Sequence, residues 1–389
     1  MNINLLVKEI ASWYKEEDKP VSISKPILSE NDLETVNATI KEGWLSTAGP
    51  DISKFEKEIS KWFNNSEVVA VSSGTAGLHL ALDVLNLKNG IEIITTPLTF
   101  VAPVNAIRYV NADPIFIDIS KEDLSIDIEK LREYAKENFV NKNKKTINKN
   151  SGKSVGALLL VDVFGHLGDY SKYREFCQEY DLKFVIDSSE SLGSTRNDLT
   201  SVEFADIAVT SFNGNKIITT GAGGAVVTKE EELSLEIRHL ASTANTESRQ
   251  YSYFHDRVGY NYRMPAINAA LGFSQILSLE ERVIGKRKLY KRYYEKIKDL
   301  NELNIFSEPK NTTSNYWLNL FYFDELINFD EKSVFIRALN EQGVGARDVW
   351  RLVSDFPQYK EYQKTNLDNA TYITSQGFNL PSTSNLELL

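Results

Sequence analysis

The sequence predicts an α/β fold in which a large unit, built on a mainly parallel sheet covered by helices, is followed by a smaller α+β unit. Three observations predict it. Short apolar runs alternate with helix-patterned stretches from Val68 to Ile186, the signature of repeated βα units whose strands are buried on both faces. Residues able to do chemistry fall where those runs end, which in such sheets is where ligands bind. The length of 389 residues, 42% of them hydrophobic, allows a sizeable core but favours two units over one. The expected division is 1–276, with a helical extension over 1–20, and 277–389.

Composition narrows the function classes. Lys and Arg total 44 against 54 Asp and Glu, a formal net charge of −10, so no overall basic field exists to hold nucleic acid or an anionic membrane. Cys177 is alone, which excludes an internal disulfide and a multi-cysteine metal site. His79, His166, His239 and His255 have no metal-ligand spacing. No apolar stretch reads as a membrane span or as a signal peptide, and a cytoplasmic location is expected.

In chain order, residues 1–19 carry an amphipathic pattern (Leu5, Leu6, Ile10, Trp13, Tyr14) suited to a short helix laid on another element. Lys41 to Pro50 reads as a loop holding Trp44, Ser46 and Thr47, and Ile52 to Phe63 as an amphipathic helix. Val68–Val71 is a strand that ends in Ser72-Ser-Gly-Thr-Ala-Gly77 before a helix begins at Leu78. Such a turn presents free N–H groups and the positive end of a helix dipole, a ready phosphate cradle, though turns of this kind also occur without a ligand. Further strands are expected at Ile91–Ile94, Pro114–Asp118, Val155–Val163 and Lys183–Ile186, with helices at Val101–Tyr109 and Tyr170–Tyr180. Ala135–Lys153, rich in Lys and Asn, reads as a solvated insertion.

Two strand ends stand out. Phe100 closes Thr96-Pro-Leu-Thr-Phe100 at a strand-to-helix turn, where it could stack on a planar cofactor, although core packing is the commoner use of such a ring. Asp187 ends Phe184-Val-Ile-Asp187, where a carboxylate could keep a pyridinium nitrogen protonated or simply cap the next turn. Downstream, Ser211-Phe-Asn-Gly-Asn-Lys216 places one lysine in a turn between the apolar runs Ile207–Thr210 and Ala225–Thr228. A rigidly mounted lysine can bind a carbonyl as a Schiff base, and pyridoxal phosphate is the usual electrophile for it. By itself the segment reads more readily as a surface lysine in a glycine-rich hairpin.

The segments Ser73–Leu82, Thr99–Ile107, Val163-Phe-Gly-His166, Ile186–Gly193, Ser211–Lys216 and Val258–Met264 occur in the order found in the DegT/DnrJ/EryC1/StrS sugar aminotransferases, and the chain resembles that family from about Ile23 to its C-terminus. Asn213-Gly-Asn-Lys216, the insertion before Val155 and His255–Arg263 look most like the branch that aminates C4 of UDP-linked, N-acetylated 4-keto-6-deoxyhexoses, as in the bacillosamine and legionaminic acid pathways of surface glycan, lipopolysaccharide or O-antigen synthesis. The resemblance implies a type I aminotransferase fold, with a large-domain sheet of seven-stranded type, and pyridoxal 5'-phosphate as cofactor. It assigns Lys216 as the Schiff-base lysine, Asp187 to the pyridine nitrogen, Glu190 near the ring hydroxyl and Phe100 on the ring. It gives the phosphate to Gly74, Thr75, Ala76 and Ser211, with Asn213 beside them and Asn261 reaching in from the other subunit of a homodimer. The expected partners are L-glutamate and a UDP-linked nucleotide sugar, with no nucleic acid and no membrane. Two departures are Ile186-Asp-Ser-Ser189 where the family often has Glu-Asp-Ala-Ala, and Arg347-Asp-Val-Trp350 where it often has Arg-Pro-Val-Trp. A sugar dehydratase of the same fold, whose best-known branch replaces the lysine by histidine, and a catalytically silent regulatory protein are the alternatives.

From about Leu277 the chain reads as charged helices over Glu280–Leu300, a strand over Tyr316–Phe323 and a helix over Lys332–Gln342, a small unit closing over one edge of the pocket. Tyr316, Trp317 and Arg347 are candidates for touching a nucleotide, with core packing an equal account of the two aromatics.

Overall fold

The protein is described by a computed structural model over residues 2–249 and 252–389. Helix α1 (Ile3–Ser12) starts at Asn2, whose side chain accepts the Leu5 N–H, and buries Leu6, Val7, Ile10 and Ala11. Helix α2 (Glu30–Lys41) opens on a reciprocal cap between Ser29 and Asp32, and α3 (Pro50–Trp62) has proline in its first turn, where no N–H is missed.

The alternation then proceeds as read: β1 (Glu67–Val71), α4 (Gly74–Val84), β2 (Glu92–Thr95), α5 (Val101–Tyr109), β3 (Asp113–Phe116) and α6 (Ile128–Asn138). A hairpin of β4 (Phe139–Lys142) and β5 (Lys145–Asn148) precedes β6 (Val155–Val161), α7 (Tyr170–Glu179) and β7 (Lys183–Asp187). After the short β8 (Thr195–Arg196) come β9 (Ile207–Ser211), β10 (Gly224–Thr228) and α8 (Glu231–Ala241). The seven-stranded sheet has the order β1-β10-β9-β7-β6-β2-β3. Only β10 runs against its neighbours. That reversal lets β9 and β10 be joined directly over residues 212–223, without the helical crossover a parallel pair needs. Lys216 is on this connection, at the edge where β1, β6, β7 and β9 also end. Helix α4 lies close on the sheet because Gly77 has no side chain: a Cβ there would stand 2.8 Å from Val209 Cγ1.

The insertion expected to be solvated is an ordered hairpin instead. Asn143 and Lys144 take positive φ values of 55° and 60°, the left-handed pair that a tight hairpin turn requires. Asn148 is buried, and its amide donates to Glu92 (2.8 Å) and Gln363 (3.0 Å). The anchor is polar, so hydrophobic patterning missed it.

The chain continues through the hairpin β11 (Asn245–Arg249) and β12 (Ser252–His255), then α9 (Ala266–Ile276) and α10 (Leu279–Ile297). After β13 (Leu303–Ile305), β14 (Thr312–Thr313) and β15 (Asn319–Phe323) come α11 (Phe329–Glu341), β16 (Arg347–Asp348), α12 (Asp368–Gln376) and β17 (Gly377–Leu380). A second, antiparallel sheet has the order β13-β15-β17-β16, and β14 pairs with β8 across to the first unit. The expected strand over Tyr316–Phe323 begins only at Asn319, because Tyr316 has φ 46° and Ser314–Leu318 is a hydrogen-bonded bend. Asp348, where the resembling family often has proline, pairs with the buried Lys332 at 2.6 Å. Helix α1 packs into the core of this second unit, Ile10, Trp13 and Tyr14 meeting Leu289, Tyr293 and Phe321, and the Tyr14 and Tyr293 hydroxyls are 2.6 Å apart. We propose two units divided near residue 277, with α1 completing the second.

Candidate active site

Where the parallel strands end, a cavity of about 280 Å³ is lined by Gly74, Thr75, Phe100, Asp187, Glu190, Ser211, Asn213 and Lys216 among others. These eight residues, all expected from the sequence, come from four separate stretches of the chain. Ala76 lies just behind the lining, its N–H taken by the Ser73 side chain at 3.1 Å. Asn261 is not brought there: it is exposed and bridges to Ser242, away from the Lys216 cavity of its own chain.

At one end, the first amides of α4, at Gly74 and Thr75, have no intrahelical partner by helix geometry and carry the positive end of the dipole. A Cβ on Gly74 would stand 3.0 Å from Ser211 Cβ and 3.3 Å from Ser211 Oγ, so the glycine leaves a hollow between an amide-rich helix end and a hydroxyl. That is the donor set and the room a phosphate needs.

On the floor, Asp187 ends β7 and is 5% exposed, with one carboxylate oxygen accepting the Ser189 N–H at 3.0 Å. Burial pushes its carboxyl up, opposed by the Ser189 hydrogen bonds and by the charge on Lys216. Glu190 Oε2 accepts the Phe164 N–H at 2.8 Å, and Phe164 takes a φ of 56°, rare for an aromatic residue, at that point. Glu190 Oε1 is 3.3 Å from Lys216 Nζ. Burial raises the Glu190 carboxyl, and the lysine charge works against it.

Lys216 is fixed from several sides. Its own N–H donates to the Asn213 carbonyl at 2.9 Å. The neighbouring Asn215 carbonyl accepts two donors, Ser24 Oγ at 2.9 Å and Trp317 Nε1 at 2.8 Å. The amine itself lies 3.9 Å from the centre of the Trp317 ring. Phe100 stands at the rim, 57% exposed, 6.5 Å from the Trp350 ring.

Sequence reasoning missed a layer beneath these groups. Asp162, fully buried after β6, accepts Tyr170 Oη and Ser191 Oγ, each at 2.6 Å, and burial pushes its carboxyl up to about 7. Asn315 donates to the Glu190 and Leu192 carbonyls, both at 2.9 Å, and accepts the Trp317 N–H at 2.8 Å. Ser24 and Asn315, each beside other polar residues, gave no signal; Asp162 is a polar residue inside an apolar run, the one cue that could have found it. Of the three nucleotide candidates, Tyr316 is core, stacked on Tyr290 at 4.1 Å, Trp317 walls the lysine, and Arg347 is half-buried within electrostatic reach of Glu190.

Comparison with known proteins agrees with this geometry. A model of the DegT/DnrJ/EryC1/StrS aminotransferase family matches residues 26–388. The GDP-perosamine synthase of Escherichia coli O157:H7 is 32% identical over 365 residues, spanning 94% of this chain and 93% of that protein. The UDP-4-amino-4,6-dideoxy-N-acetyl-beta-L-altrosamine transaminase of Campylobacter jejuni (strain 81-176) is 28% identical, spanning 90% and 89%. The solved structure of Helicobacter pylori PseC, an aminotransferase of pseudoaminic acid biosynthesis, superposes with a TM-score of 0.84 at 24% identity, over 94% of this chain and 95% of that one. Among the described residues no helix is long and apolar enough to cross a membrane.

Proposed function

The chain belongs to the DegT/DnrJ/EryC1/StrS aminotransferase family, and we propose that it moves an amino group from L-glutamate to the C4 keto group of a nucleotide-linked 4-keto-6-deoxy sugar, with UDP-2-acetamido-2,6-dideoxy-4-hexulose as the substrate. It is a sugar aminotransferase dependent on pyridoxal 5'-phosphate. The observation that carries the reading is the convergence in one cavity of Lys216, two buried carboxylates and the open α4 terminus. When bound, the cofactor supplies a carbonyl for amines and a conjugated ring that takes up the electron pair left as a C–H bond breaks.

The chain's residues would do the rest. The Gly74 and Thr75 amides and the Ser211 hydroxyl hold the phosphate, with Ala76 and Asn213 shaping that end. Asp187 faces the ring nitrogen and keeps its proton there by charge pairing, which also favours the ionised carboxylate against the upward push of burial. Glu190 would stand by the ring hydroxyl and Phe100 would cover one ring face. Lys216 would hold the cofactor at rest; once displaced by the donor, its Nζ would remove the proton from the donor α-carbon and keep it on that face of the site for delivery to a different atom. In the second half-reaction the same amine would supply a proton to the sugar carbon. We place Asn261 at the partner's phosphate in a two-fold homodimer, since its own chain leaves it exposed outside the cavity. Lys216→Ala and Asn261→Asp chains, each nearly dead, would then regain activity when mixed into heterodimers; inactive heterodimers would remove Asn261 from the site.

A GDP-linked keto sugar is the second reading, favoured by the 32% identity to a GDP-perosamine synthase. The test incubates the purified protein with glutamate, following loss of the cofactor's long-wavelength absorbance and release of 2-oxoglutarate, then offers UDP-, dTDP- and GDP-linked keto sugars with NMR of each product. A 4-amino product from the UDP sugar at the highest kcat/KM supports the proposal. Preference for the GDP sugar selects the second reading. No half-reaction defeats both, leaving the silent alternative.

A further inference from the structure

Trp317 is 2% exposed and belongs to the second unit, yet its ring face is the nearest aromatic surface to the Lys216 amine, 3.9 Å from ring centre to Nζ. Three hydrogen bonds and one ring stack define that ring's position. Its backbone N–H donates to Asn315 Oδ1 (2.8 Å), and its carbonyl accepts Lys286 Nζ (2.9 Å). Its indole N–H donates to the Asn215 carbonyl (2.8 Å), and the ring stacks on Trp350 at 6.4 Å. The Lys286 ammonium is itself buried, bonded also to the Ser382 carbonyl (2.5 Å), and burial pulls it down to about 7. Asn315 also donates to the Glu190 carbonyl, so one short segment fixes both groups that touch the amine, the Trp317 face and Glu190.

We infer that Trp317 is a positioning residue for Lys216: its π face, with Glu190, is the seat that receives the amine whenever the lysine is not covalently engaged, and its indole N–H fixes the backbone beside it. The inference rests on Lys216 as the reacting amine. A ring face attracts an ammonium and not a neutral amine, so the seat holds the lysine charged and in reach between turnovers. The segment that carries Trp317 is on the second unit, while Lys216 is on the first, so the reacting amine is seated across the boundary between the two.

The test reads the nucleophilicity of Lys216 by mass spectrometry after brief labelling with acetic anhydride at a series of pH values. It uses the full-length protein both freed of cofactor and loaded with pyridoxamine phosphate, where the lysine is free. Trp317→Leu removes the face and should speed labelling of Lys216 by about twofold to thirtyfold, whereas Trp317→Phe keeps a face and should restore most of the slow labelling. Because Trp317→Leu leaves a void, tryptophans of increasing fluorination at position 317 provide a series of nearly constant shape whose ring attracts cations less and less. Labelling that rises stepwise along that series supports the seat. A flat series, or Phe behaving as Leu, overturns it. A Lys216→Ala protein that still turned over would instead defeat the reading of Lys216 itself, and the labelling of unloaded protein would remain interpretable without it.

Discussion

At the α4 end of the cavity the amides come from consecutive residues: Ser73 caps the helix, and the Gly74 and Thr75 amides open beside it, with the Ser211 hydroxyl added from the end of β9. At the lysine end, the Asn215 carbonyl is gripped by Ser24 and Trp317, which lie 191 and 102 residues away in the chain, and Glu190 is aimed by Phe164 and Asn315. The first end is mostly a local motif, its amides set by one strand, one turn and one helix. The second exists only once segments far apart in the chain have come together. Cofactor retention and lysine chemistry should therefore fail separately, and each substitution below is chosen to separate them or to show that they cannot be separated.

The largest effect is expected for Lys216→Ala, which should abolish multiple turnover while leaving the phosphate end and Asp187 intact. Turnover assays together with cofactor retained after dialysis check this, and loss of both would show that the ends are not independent. Next is the pH dependence that comes from beneath the lysine end. The Asp162 carboxyl sits at about 7 in the fold against an ordinary 3.8, so the folded state binds the extra proton between those values. Its stabilising contribution is complete below about pH 4 and is lost as pH rises through about 7, with an upper bound of about 4 kcal/mol. Asp162→Asn should flatten that slope in urea midpoints measured from pH 4 to 8; an unchanged slope would mean that the group stays ionised.

Asp187→Asn removes a charge-assisted bond to the ring nitrogen and should lower kcat by about 10- to 100-fold with cofactor still bound. Gly74→Val acts on the opposite end. Its added methyls meet Ser211 and fill the hollow, and overpacking of this kind predicts cofactor affinity reduced about 5- to 100-fold with kcat at saturating cofactor nearly kept. Equilibrium dialysis against the cofactor measures it. The smallest effect belongs to Ser24→Ala, which leaves Asn215 with Trp317 alone. Loss of about 0.5–1.5 kcal/mol of one hydrogen bond should lower Tm by about 1–2 °C and kcat by less than about threefold. A calorimetric scan with no shift would show that Trp317 suffices.

Much of the site was legible because its groups obey local rules. A strand buried on both faces reads as an apolar run, a glycine turn opening a helix reads as an anion cradle, and Asp187, Ser211 and Lys216 follow such runs directly. The hairpin β4–β5 was misread as solvated because its anchors, Asn148 and Thr146, are buried polar residues that hydrophobic patterning scores as surface. Asn261 was found by resemblance alone, and one chain does not carry it to the cavity.

By itself the sequence determined the βα alternation, the strand ends where chemistry falls and the residue types at those ends, since each depends on neighbours within a turn or a pleat. Only the tertiary structure decided that β10 runs backwards and so sets Lys216 on the common edge. It alone decided that Ser24, Asn315 and Trp317 converge on that lysine and that Asp162 is sealed from water. Those outcomes depend on contacts between distant segments and on burial, and neither leaves a period in the chain to read.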